Sequence, residues 1–237
     1  MTGWRLEVFE ELASTSNECT ERARAGEAGG LAVLALRQIA GRGSRGRVWQ
    51  APQGNLNLSV LLRPRRLAAE AGMFALLAGI AVAEALETLA DITVTLKWPN
   101  DVLLGQAKLA GILIDAAPAG LGLDWLVIGI GVNLREAPRI EGRQTTSLGE
   151  HGVELEPLIV AHAVLERLRH WQDESSAAIR DAWLLRAHAI GTPIEVHAGG
   201  RRLQGSFAGL SVGGELLLRA ENRIETISTG DVLLGPP

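Results

Sequence analysis

One stretch of the sequence, residues 38–49, concentrates glycine and arginine between two apolar segments. It reads Gln-Ile-Ala-Gly-Arg-Gly-Ser-Arg-Gly-Arg-Val-Trp, and the flanking segments are residues 31–36 and 56–62. Short apolar runs bounded by turn-forming residues are typical of buried strands. The stretch is therefore predicted to be a loop that joins two core strands, and it is called the arginine loop below.

The arginine loop has the composition of an anion-binding segment. Glycine leaves the backbone free to adopt conformations closed to other residues, and guanidinium groups are permanently charged forks suited to carboxylate or phosphate oxygens. The glycines are Gly41, Gly43 and Gly46, and the arginines are Arg42, Arg45 and Arg47. Because loops anchored by rigid strands often carry ligand sites, we predict a site for a small anionic ligand here.

Two ordinary alternatives have the same composition, namely a solvated turn and a flexible nucleic-acid-binding tail. Segments of the second kind usually repeat and lie in disordered tails, whereas this stretch occurs once, between apolar segments. A formal net charge of −4 also argues against broad electrostatic binding to nucleic acid. The composition of this stretch alone does not exclude an ordinary solvated turn.

The overall composition is that of a soluble globular protein. The 237 residues are 47% hydrophobic and 21% charged, enough for one substantial core and a small additional module. Cys19 is the single cysteine, which excludes an internal disulfide and favours a reducing compartment; we interpret it as an ordinary helix residue. The N-terminus lacks a signal-peptide core, and the longest apolar run, residues 74–83, is shorter than the roughly 20 residues that span a bilayer. We expect a cytoplasmic protein.

A cluster of hydroxyl and amide side chains follows the first predicted strand, residues 4–9. Ser14, Thr15, Ser16 and Asn17 stand at the start of a predicted helix that ends near residue 25. Such residues are natural helix N-caps. At a helix start they are also placed to hydrogen-bond a neutral polar group of a ligand, so capping and ligand binding both remain open.

A second polar constellation follows a short predicted strand, residues 92–96. Pro99 ends that strand because it lacks a backbone donor. Lys97, Asn100 and Asp101 are thereby presented together at the strand end. A lysine, an amide and a carboxylate in that arrangement can hold a phosphate, orient a ligand and bind a divalent cation.

The two predicted strands that follow bring further polar and glycine positions to this neighbourhood. Residues 108–115 read as the return strand of a hairpin, with Lys108 at its entry and Gly111 allowing close approach of a ligand. Gly129 and its neighbour two residues on form a weak dinucleotide signal, which we reject because no third glycine or following helix supports it. We interpret these glycines as places where the strand passes close to a ligand, with Asn133 as a polar contact.

The remainder of the chain is predicted to contain packing helices and then a small barrel. Apolar residues at helical spacing predict helices over residues 68–89, 157–171 and 176–188. His162, His170 and His188 show no metal-ligand pairing, so we interpret them as core or surface residues. Short strands predicted at residues 194–197, 202–208, 215–218 and 224–228 suit a small barrel. We place the domain boundary near Ile190, which divides the chain into residues 1–190 and 191–237.

Together these motifs resemble those of the biotin protein ligases, the family that joins biotin to a lysine of carboxylase carrier domains. The resemblance extends over nearly the whole chain, and several ordered motifs at family-like spacing are far more specific than any one of them. The motifs are Ser14-Thr15, Gln38 with the segment from Gly41 to Trp49, Lys97-Trp-Pro-Asn-Asp, Lys108-Leu-Ala-Gly-Ile-Leu, Gly129-Ile-Gly-Val-Asn and the C-terminal barrel.

The resemblance implies an α+β fold. It predicts a mixed, largely antiparallel sheet with flanking helices, like the core of class II aminoacyl-tRNA synthetases, followed by an SH3-like β-barrel. Bifunctional members of the family carry an N-terminal helix-turn-helix domain. Because the first strand begins near residue 4, we expect the monofunctional type, without nucleic-acid or membrane partners. The expected protein partner is the biotin carboxyl carrier domain of acetyl-CoA carboxylase or a related acyl-CoA carboxylase, and a homodimer is left open.

The family reaction has two steps, and the resemblance implies roles in it for specific residues. The biotin carboxylate attacks the α-phosphate of Mg-ATP to give biotinyl-AMP and pyrophosphate, and the acceptor lysine then attacks the acyl carbon. Lys108, Lys97, Arg42 and Asp101 are the expected catalytic residues, with Asp101 as the Mg²⁺ ligand. The residues expected to contact biotin and nucleotide are Ser14, Thr15, Ser16, Gln38, Gly41, Arg42, Gly43, Ser44, Arg45, Arg47, Trp49, Lys97, Asn100, Lys108, Gly111, Gly129 and Asn133.

The resemblance also implies which part of the ligand each of these residues contacts. The helix-start hydroxyls and Gln38 should bond the neutral ureido head of biotin, whose buried polar atoms need partners. Lys108 is assigned to the biotin carboxyl group and later to the acyl-phosphate oxygen, and Asp101 to orienting the incoming amine. Trp49 is a candidate to pack on adenine, with a role as a core anchor at the loop end kept as the alternative.

One position departs from the family pattern. The family loop often carries an arginine, associated with holding the activated intermediate, where this chain has Ser44. We therefore hypothesise that biotinyl-AMP leaves this protein faster than it leaves relatives with that arginine. Two alternative functions remain, a lipoate–protein ligase on the same scaffold and a biotin-sensing module that does not ligate.

Overall fold

The computed structural model describes residues 3–221 and 223–234. The first half of these residues carries most of the strands. In chain order its elements are β1 (Arg5–Leu12), α1 (Thr15–Arg24), β2 (Leu31–Gln38), β3 (Leu56–Leu62), α2 (Met73–Leu89), β4 (Val94–Lys97), β5 (Asp101–Leu104), β6 (Ala107–Ala119) and β7 (Gly122–Val132). The elements that follow are α3 (Pro157–Trp171), α4 (Ser176–Leu184), β8 (Pro193–Ala198), β9 (Arg201–Leu210), β10 (Leu216–Ala220), β11 (Arg223–Ile227) and β12 (Asp231–Leu234).

Seven strands form one mixed sheet in the order β1-β2-β3-β7-β6-β5-β4. β1 and β2 are parallel, joined by the crossover helix α1, and every other neighbouring pair is antiparallel. The expected α+β class with a mixed, largely antiparallel sheet is therefore confirmed. The C-terminal strands form a separate antiparallel sheet in the order β11-β10-β9-β8-β12, as expected of a small barrel. The boundary near Ile190 stays a prediction.

Helix α2 is the central packing element. Its apolar residues surround the helix almost completely, so it is buried rather than amphipathic. It packs against α3, α4 and strands β4 to β7. The segment Ala68–Leu89 is long and apolar enough to cross a membrane, but 67% of its most apolar window is buried inside the protein. That burial is the pattern of a core helix.

Two helices differ from their sequence-based bounds. The predicted helix over residues 68–89 starts as a 3-10 turn, Ala68–Glu70, where the Glu70 carboxylate accepts the Leu67 backbone N–H at 3.1 Å, and the α-helix begins only at Met73. The helix predicted to reach residue 188 ends at Leu184. The chain leaves it to pair with β4, and the Arg186 carbonyl accepts the Leu96 N–H at 2.8 Å. Tertiary pairing here overrides helix propensity.

Cys19 has the environment expected of an ordinary core residue. It is fully buried on α1 among apolar side chains such as Leu31 and Val127. Burial raises the pKa of its thiol to about 12, so the thiol is not a reactive nucleophile.

Candidate active site

A cleft of about 820 Å³, including its open mouth, lies on one face of the seven-stranded sheet. It is lined both by the arginine loop and by the segments that follow β4 and begin β6. The arginine loop therefore meets Asn100 of the second polar constellation, together with Lys108, at one cavity. Its lining includes Thr15, Ser16, Gln38, Arg42, Gly43, Ser44, Arg47, Trp49, Asn100, Lys108, Gly111, Gly129 and Asn133.

Glycines form the floor of the cleft, because the side chains of Trp49 and Ser16 lie so close to the strands that no Cβ would fit beneath them. On β7, a Cβ added at Gly131 would lie 2.3 Å from the Trp49 ring, and one added at Gly129 would lie 2.4 Å from the Ser16 hydroxyl oxygen. Gly131 pairs with Gly111 on the neighbouring strand β6, so backbone without side chains extends over both strands. A flat group can therefore lie directly on the sheet here, and in this structure that group is the Trp49 indole.

One end of the cleft is neutral and polar. The Gln38 side-chain oxygen accepts from the Thr15 backbone N–H at 2.8 Å and from the Thr15 hydroxyl at 3.0 Å. The Ser59 hydroxyl lies 2.8 Å from the Thr15 hydroxyl and 3.1 Å from that of Ser16. Thr15, Ser16 and Ser59 are buried. This end is suited to a ligand group that both donates and accepts hydrogen bonds without carrying charge.

Sequence reasoning missed two residues of this polar end, Asn57 and Ser59. Both lie on β3, and Gln38 Nε2 donates to Asn57 Oδ1 at 3.3 Å. A signal was present, because these two polar residues stand two positions apart in an otherwise apolar strand and must share one face. Ser14, in contrast, is buried as the N-cap of α1, where its hydroxyl accepts the Asn17 N–H at 3.4 Å, and it does not line the cleft.

The other end is cationic and centres on a buried carboxylate. Lys97 and Asp101 face each other across the β4–β5 turn with Nζ to Oδ2 at 3.0 Å, and Lys108 contacts the other oxygen of Asp101. These are the only two lysines in the sequence. Burial alone would raise the pKa of Asp101, but the two ammonium groups outweigh it and hold that pKa below its usual value. Asp101 is thus a carboxylate that fixes both lysines.

Lys108 is the member of this cluster that lines the cleft. Its ammonium nitrogen lies 5.7 Å from the centre of the Trp49 ring, within range of a cation–π interaction. Lys97 and Asp101 stand behind it and do not line the cleft, while Asn100 does and donates to the Ile112 carbonyl at 2.6 Å. One positive group is therefore presented to a ligand, and its position is set by a second layer.

The arginines of the loop are also paired with carboxylates. Arg42 makes a bidentate contact with Asp115 on β6, at 2.7 and 3.2 Å, and donates to Asn17 Oδ1 at 3.0 Å. Arg45 and Arg47 contact Asp231 on β12. No sequence signal singled out the two acidic partners, because each is isolated in the chain and meets the loop only through the fold. Gly41, within the loop, packs against Trp49 and Gln38 and is outside the lining of the cleft.

The contacts of Asp101 bear on the expected Mg²⁺ site. Both of its oxygens contact lysines, so it is not arranged as a free cation ligand. Within residues 3–221 and 223–234, no group of three or more His, Cys, Asp or Glu side chains is placed to hold a metal ion. These residues do not fit a resident Mg²⁺ ion in the arrangement seen, and a role of Asp101 toward the cation stays a prediction.

Two buried polar atoms in the cleft walls lack a hydrogen-bond partner among the described residues. They are the indole nitrogen of Trp49, a donor, and Oδ1 of Asn133, an acceptor. The Asn133 amide nitrogen is satisfied by the Thr146 carbonyl at 3.0 Å, which fixes the direction of its oxygen. Buried unpaired groups cost stability, so a ligand with complementary polar atoms would gain from both.

The cleft therefore combines a neutral polar end, a flat glycine floor and a cationic end. Such a site suits a ligand with an uncharged hydrogen-bonding head and an anionic tail. The cationic end can also hold a second anionic group against the first, because positive charge offsets the repulsion between two anions. None of the described residues that line the cleft is placed as an obvious nucleophile, so positioning and charge are what this site supplies.

Comparisons with known proteins agree with this geometry. The model of the Biotin/lipoate A/B protein ligase family matches residues 10–133. A biotin--[acetyl-CoA-carboxylase] ligase of Paracoccus denitrificans is 36% identical over 222 residues, covering 89% of this chain and 92% of that protein.

Solved structures are similar over nearly the whole chain. A biotin protein ligase from Aquifex aeolicus in complex with biotin and ATP aligns with a TM-score of 0.82 at 29% identity, covering 100% of both chains. A biotin protein ligase from Leishmania major in complex with biotinyl-5-AMP aligns with a TM-score of 0.65 at 26% identity, covering 95% of this chain and 99% of that one.

Replacing Asp101 by asparagine should lower the free energy of unfolding at pH 7 by about 3 kcal/mol, because two ammonium groups lose their buried partner. The pKa of Asp101 is depressed in the folded protein. Its stabilising contribution is therefore fully present above the unfolded value of about 3.9 and is lost as the pH falls through the lower folded value.

Urea unfolding of the wild type and Asp101→Asn between about pH 3 and pH 7 measures this difference. The difference should be constant above about pH 5 and shrink in more acidic solution. Asp124→Asn, in an exposed pair with Arg63, is the matched control and should change little. A difference that grows on acidification would contradict the assignment.

Proposed function

Because the chain belongs to the Biotin/lipoate A/B protein ligase family, we propose that it is a biotin protein ligase. It uses ATP to activate biotin as biotinyl-5′-AMP and transfers the biotinyl group to a lysine of a biotin carboxyl carrier domain. The observation that carries the proposal is the polarity of this cleft, which is neutral at Thr15, Ser16 and Gln38 and cationic at Arg42 and Lys108.

The neutral end of the cleft suits the ureido head of biotin. A ureido group has one carbonyl acceptor and two N–H donors, and the hydroxyls of Thr15, Ser16 and Ser59 can serve as donors or acceptors. Gln38 is held by Thr15 and Asn57, so it offers a preset amide. The fused rings then lie on the glycine floor, and the valerate chain carries the carboxylate toward Lys108.

In the first step the biotin carboxylate attacks the α-phosphorus of ATP and pyrophosphate leaves. Both reactants are anions, so the barrier falls when fixed positive charge bridges them. Lys108 is assigned to the carboxylate and to the forming acyl-phosphate oxygen. Arg42 and Arg47 are assigned to the phosphates, which requires them to exchange Asp115 and Asp231 for phosphate oxygens. Lys97 reinforces the positive field from behind.

The nucleotide base is assigned to the wall opposite the biotin head. The Asn133 oxygen has no hydrogen-bond partner among the described residues and is an acceptor suited to an exocyclic amine, and Asn100 also lines the cleft. The Trp49 indole lies on Gly131 in the structure and is the candidate aromatic partner of adenine or of the ligand chain. Gly43 and Ser44 let the loop approach the phosphates closely.

In the second step the acceptor amine attacks the acyl carbon of biotinyl-5′-AMP. The carbon–nitrogen bond forms, the bond from the acyl carbon to the phosphate oxygen breaks, AMP leaves with the electron pair and the amine releases a proton. Lys108 stabilises the oxygen that gains charge. Asp101 is assigned to orienting the incoming amine, which requires it to exchange one of its two lysine contacts for that amine. The arginine loop shields the mixed anhydride from water until the acceptor arrives.

The acceptor is proposed to be the carrier domain of acetyl-CoA carboxylase or a related acyl-CoA carboxylase, in the cytoplasm. The free, buried thiol of Cys19 requires no oxidising compartment. Mg²⁺ is proposed to enter with ATP as part of the substrate, bound to its phosphates.

Two alternatives are less well supported by the cleft. A lipoate ligase needs an apolar slot for a dithiolane ring, whereas here the closed end is a hydrogen-bonded polar set. A sensor that does not ligate needs the pocket but not a lysine pair fixed by Asp101, and this chain retains both lysines.

The proposal is tested by incubating the protein with ATP, Mg²⁺ and either biotin or lipoate. Biotin should give pyrophosphate release and, with a carrier domain added, a labelled acceptor lysine, while lipoate should give neither above background. Labelling by lipoate alone would establish the first alternative, and biotin binding without pyrophosphate release would establish the second.

Lys108→Ala should slow biotin-dependent pyrophosphate release by more than about a hundredfold, because a preorganised charge contact contributes about 3 kcal/mol or more. Lys108→Arg keeps the charge but changes its shape and should recover part of the rate. Arg223→Ala, at an exposed position remote from the cleft, is the surface control. A normal rate in Lys108→Ala would refute the role assigned to this residue.

Ser44→Arg tests the departure from the family pattern. If Ser44 weakens retention of the intermediate, the arginine variant should release biotinyl-5′-AMP more slowly, as followed by chasing labelled intermediate with unlabelled biotin and ATP. Ser44→Ala is the matched control, since it removes only the hydroxyl that accepts from Arg47 at 2.7 Å. Equal release rates for Ser44→Arg and the wild type would reject the hypothesis.

A further inference from the structure

Asp231 joins the C-terminal sheet to the arginine loop. It is the first residue of β12 and lies 186 positions from Arg45, whose Nη1 donates to Asp231 Oδ2 at 2.6 Å. Arg47 makes a bidentate contact with the same carboxylate, with both distances 3.2 Å. One carboxylate from the second sheet therefore holds two of the three arginines of the loop.

The loop's own hydrogen bonds, which include Trp49 N–H to the Gly41 carbonyl at 2.9 Å and Arg47 N–H to the Ser44 carbonyl at 3.3 Å, close its backbone but do not hold the Arg45 side chain. Within the loop, Arg47 donates to the Ser44 carbonyl and hydroxyl, and the Gly43 N–H donates to the Arg47 carbonyl at 2.8 Å. Arg45 has φ of 60°, in the left-handed region that costs non-glycine residues energy. Three like charges on this short segment also repel one another. The Asp231 carboxylate between Arg45 and Arg47 offsets both the backbone strain at Arg45 and the repulsion between the arginines.

The position of Asp231 is itself fixed relative to the cleft. The turn before β12 packs closely, since a Cβ added at Gly230 would lie 2.9 Å from Val196 and 3.5 Å from the Trp98 ring. Trp98 belongs to the Lys97–Asp101 turn, and its indole donates to the Gly214 carbonyl at 3.0 Å. The turn that carries the lysine cluster thus also anchors the sheet that carries Asp231.

We propose that Asp231 is a positioning residue that orders the arginine loop over the cleft before substrate binds. Its carboxylate holds Arg47, which lines the cleft, and Arg45, which lies outside the lining, so less conformational entropy is lost when the loop closes on a ligand. Resting on the proposed function, Arg45 keeps its contact with Asp231 when Arg47 turns to the phosphates. The loop therefore stays tethered, which slows the escape of biotinyl-5′-AMP and supplies part of the retention that an arginine at position 44 would give. The C-terminal sheet then contributes directly to the active site.

Hydrogen exchange of the ligand-free protein tests the ordering. In Asp231→Asn, the loop amides of Gly43, Arg47 and Trp49 should exchange about fivefold faster than in the wild type, which corresponds to about 1 kcal/mol. Asp231→Glu should restore much of the protection because it keeps the charge. Asp124→Asn, which removes another exposed arginine–aspartate pair, is the matched control and should leave the loop unchanged.

The dissociation rate of biotinyl-5′-AMP tests the function of that ordering. It should rise about fivefold in Asp231→Asn, with a smaller rise in Asp231→Glu and none in Asp124→Asn. High salt should narrow the gap between the wild type and Asp231→Asn because exposed ion pairs are screened. A thermal melt of each variant checks that the fold is retained.

Each outcome decides the proposal. Unchanged loop exchange in a folded Asp231→Asn overturns it, and faster exchange with an unchanged dissociation rate overturns its link to retention. If the wild type forms no biotinyl-5′-AMP at all, the proposed function fails, while the exchange experiment still decides whether Asp231 orders the loop.

Discussion

The active site depends on positive charge that the protein's own carboxylates neutralise in the ligand-free state. The three arginines of the loop and the two lysines lie at or near the cleft, and each is within ion-pair distance of an acidic residue from a different part of the sequence or across a turn. The pairs are Lys97 and Lys108 with Asp101, Arg42 with Asp115, and Arg45 and Arg47 with Asp231. Without these partners, repulsion among the cations would disperse the groups that substrates need to find together.

The three acidic residues differ in depth, and that difference separates their roles. Asp101 is buried between two lysines, with 15% of its side chain exposed, so its pairs are costly to break and fix the lysines in place. Asp115 and Asp231 are more exposed, at 23% and 38%, so phosphate oxygens can replace them at lower cost. The site is therefore rigid around Lys108, whereas the ion pairs of the loop arginines can be exchanged for contacts to a ligand. This combination suits a reaction in which the substrates first bind and the loop then closes over them.

Strand register supplies the rest of the site. β7 lies between β3 and β6, so Gly131 is paired with Asn57 on one side and Gly111 on the other. This register aligns bare backbone with a polar side chain that belongs to the neutral end. A shift of one residue would turn those side chains to the other face of the sheet. The packing of α2 on the sheet holds this register, and the cleft is its consequence.

The sequence by itself determined the local elements and the chemical character of the site. The alternation of apolar runs and turn residues located the strands of the first sheet other than β5 to within a few residues, and the glycine–arginine composition identified the loop. It did not predict β12, which is only four residues long and has a clear role only as a partner of β8. The helix end at Leu184 was also missed, because pairing with β4 decided it.

Only the tertiary structure decided which distant residues meet. Asn57 and Ser59 carried a period-two signal that could have been read, whereas Asp115 and Asp231 carried none. Each is a single acidic residue that gains its role by lying opposite an arginine once the sheets are assembled. Local sequence fixes propensity and charge, which depend on near neighbours, but the pairing of charges across more than 70 or 180 positions is set by long-range strand order and packing.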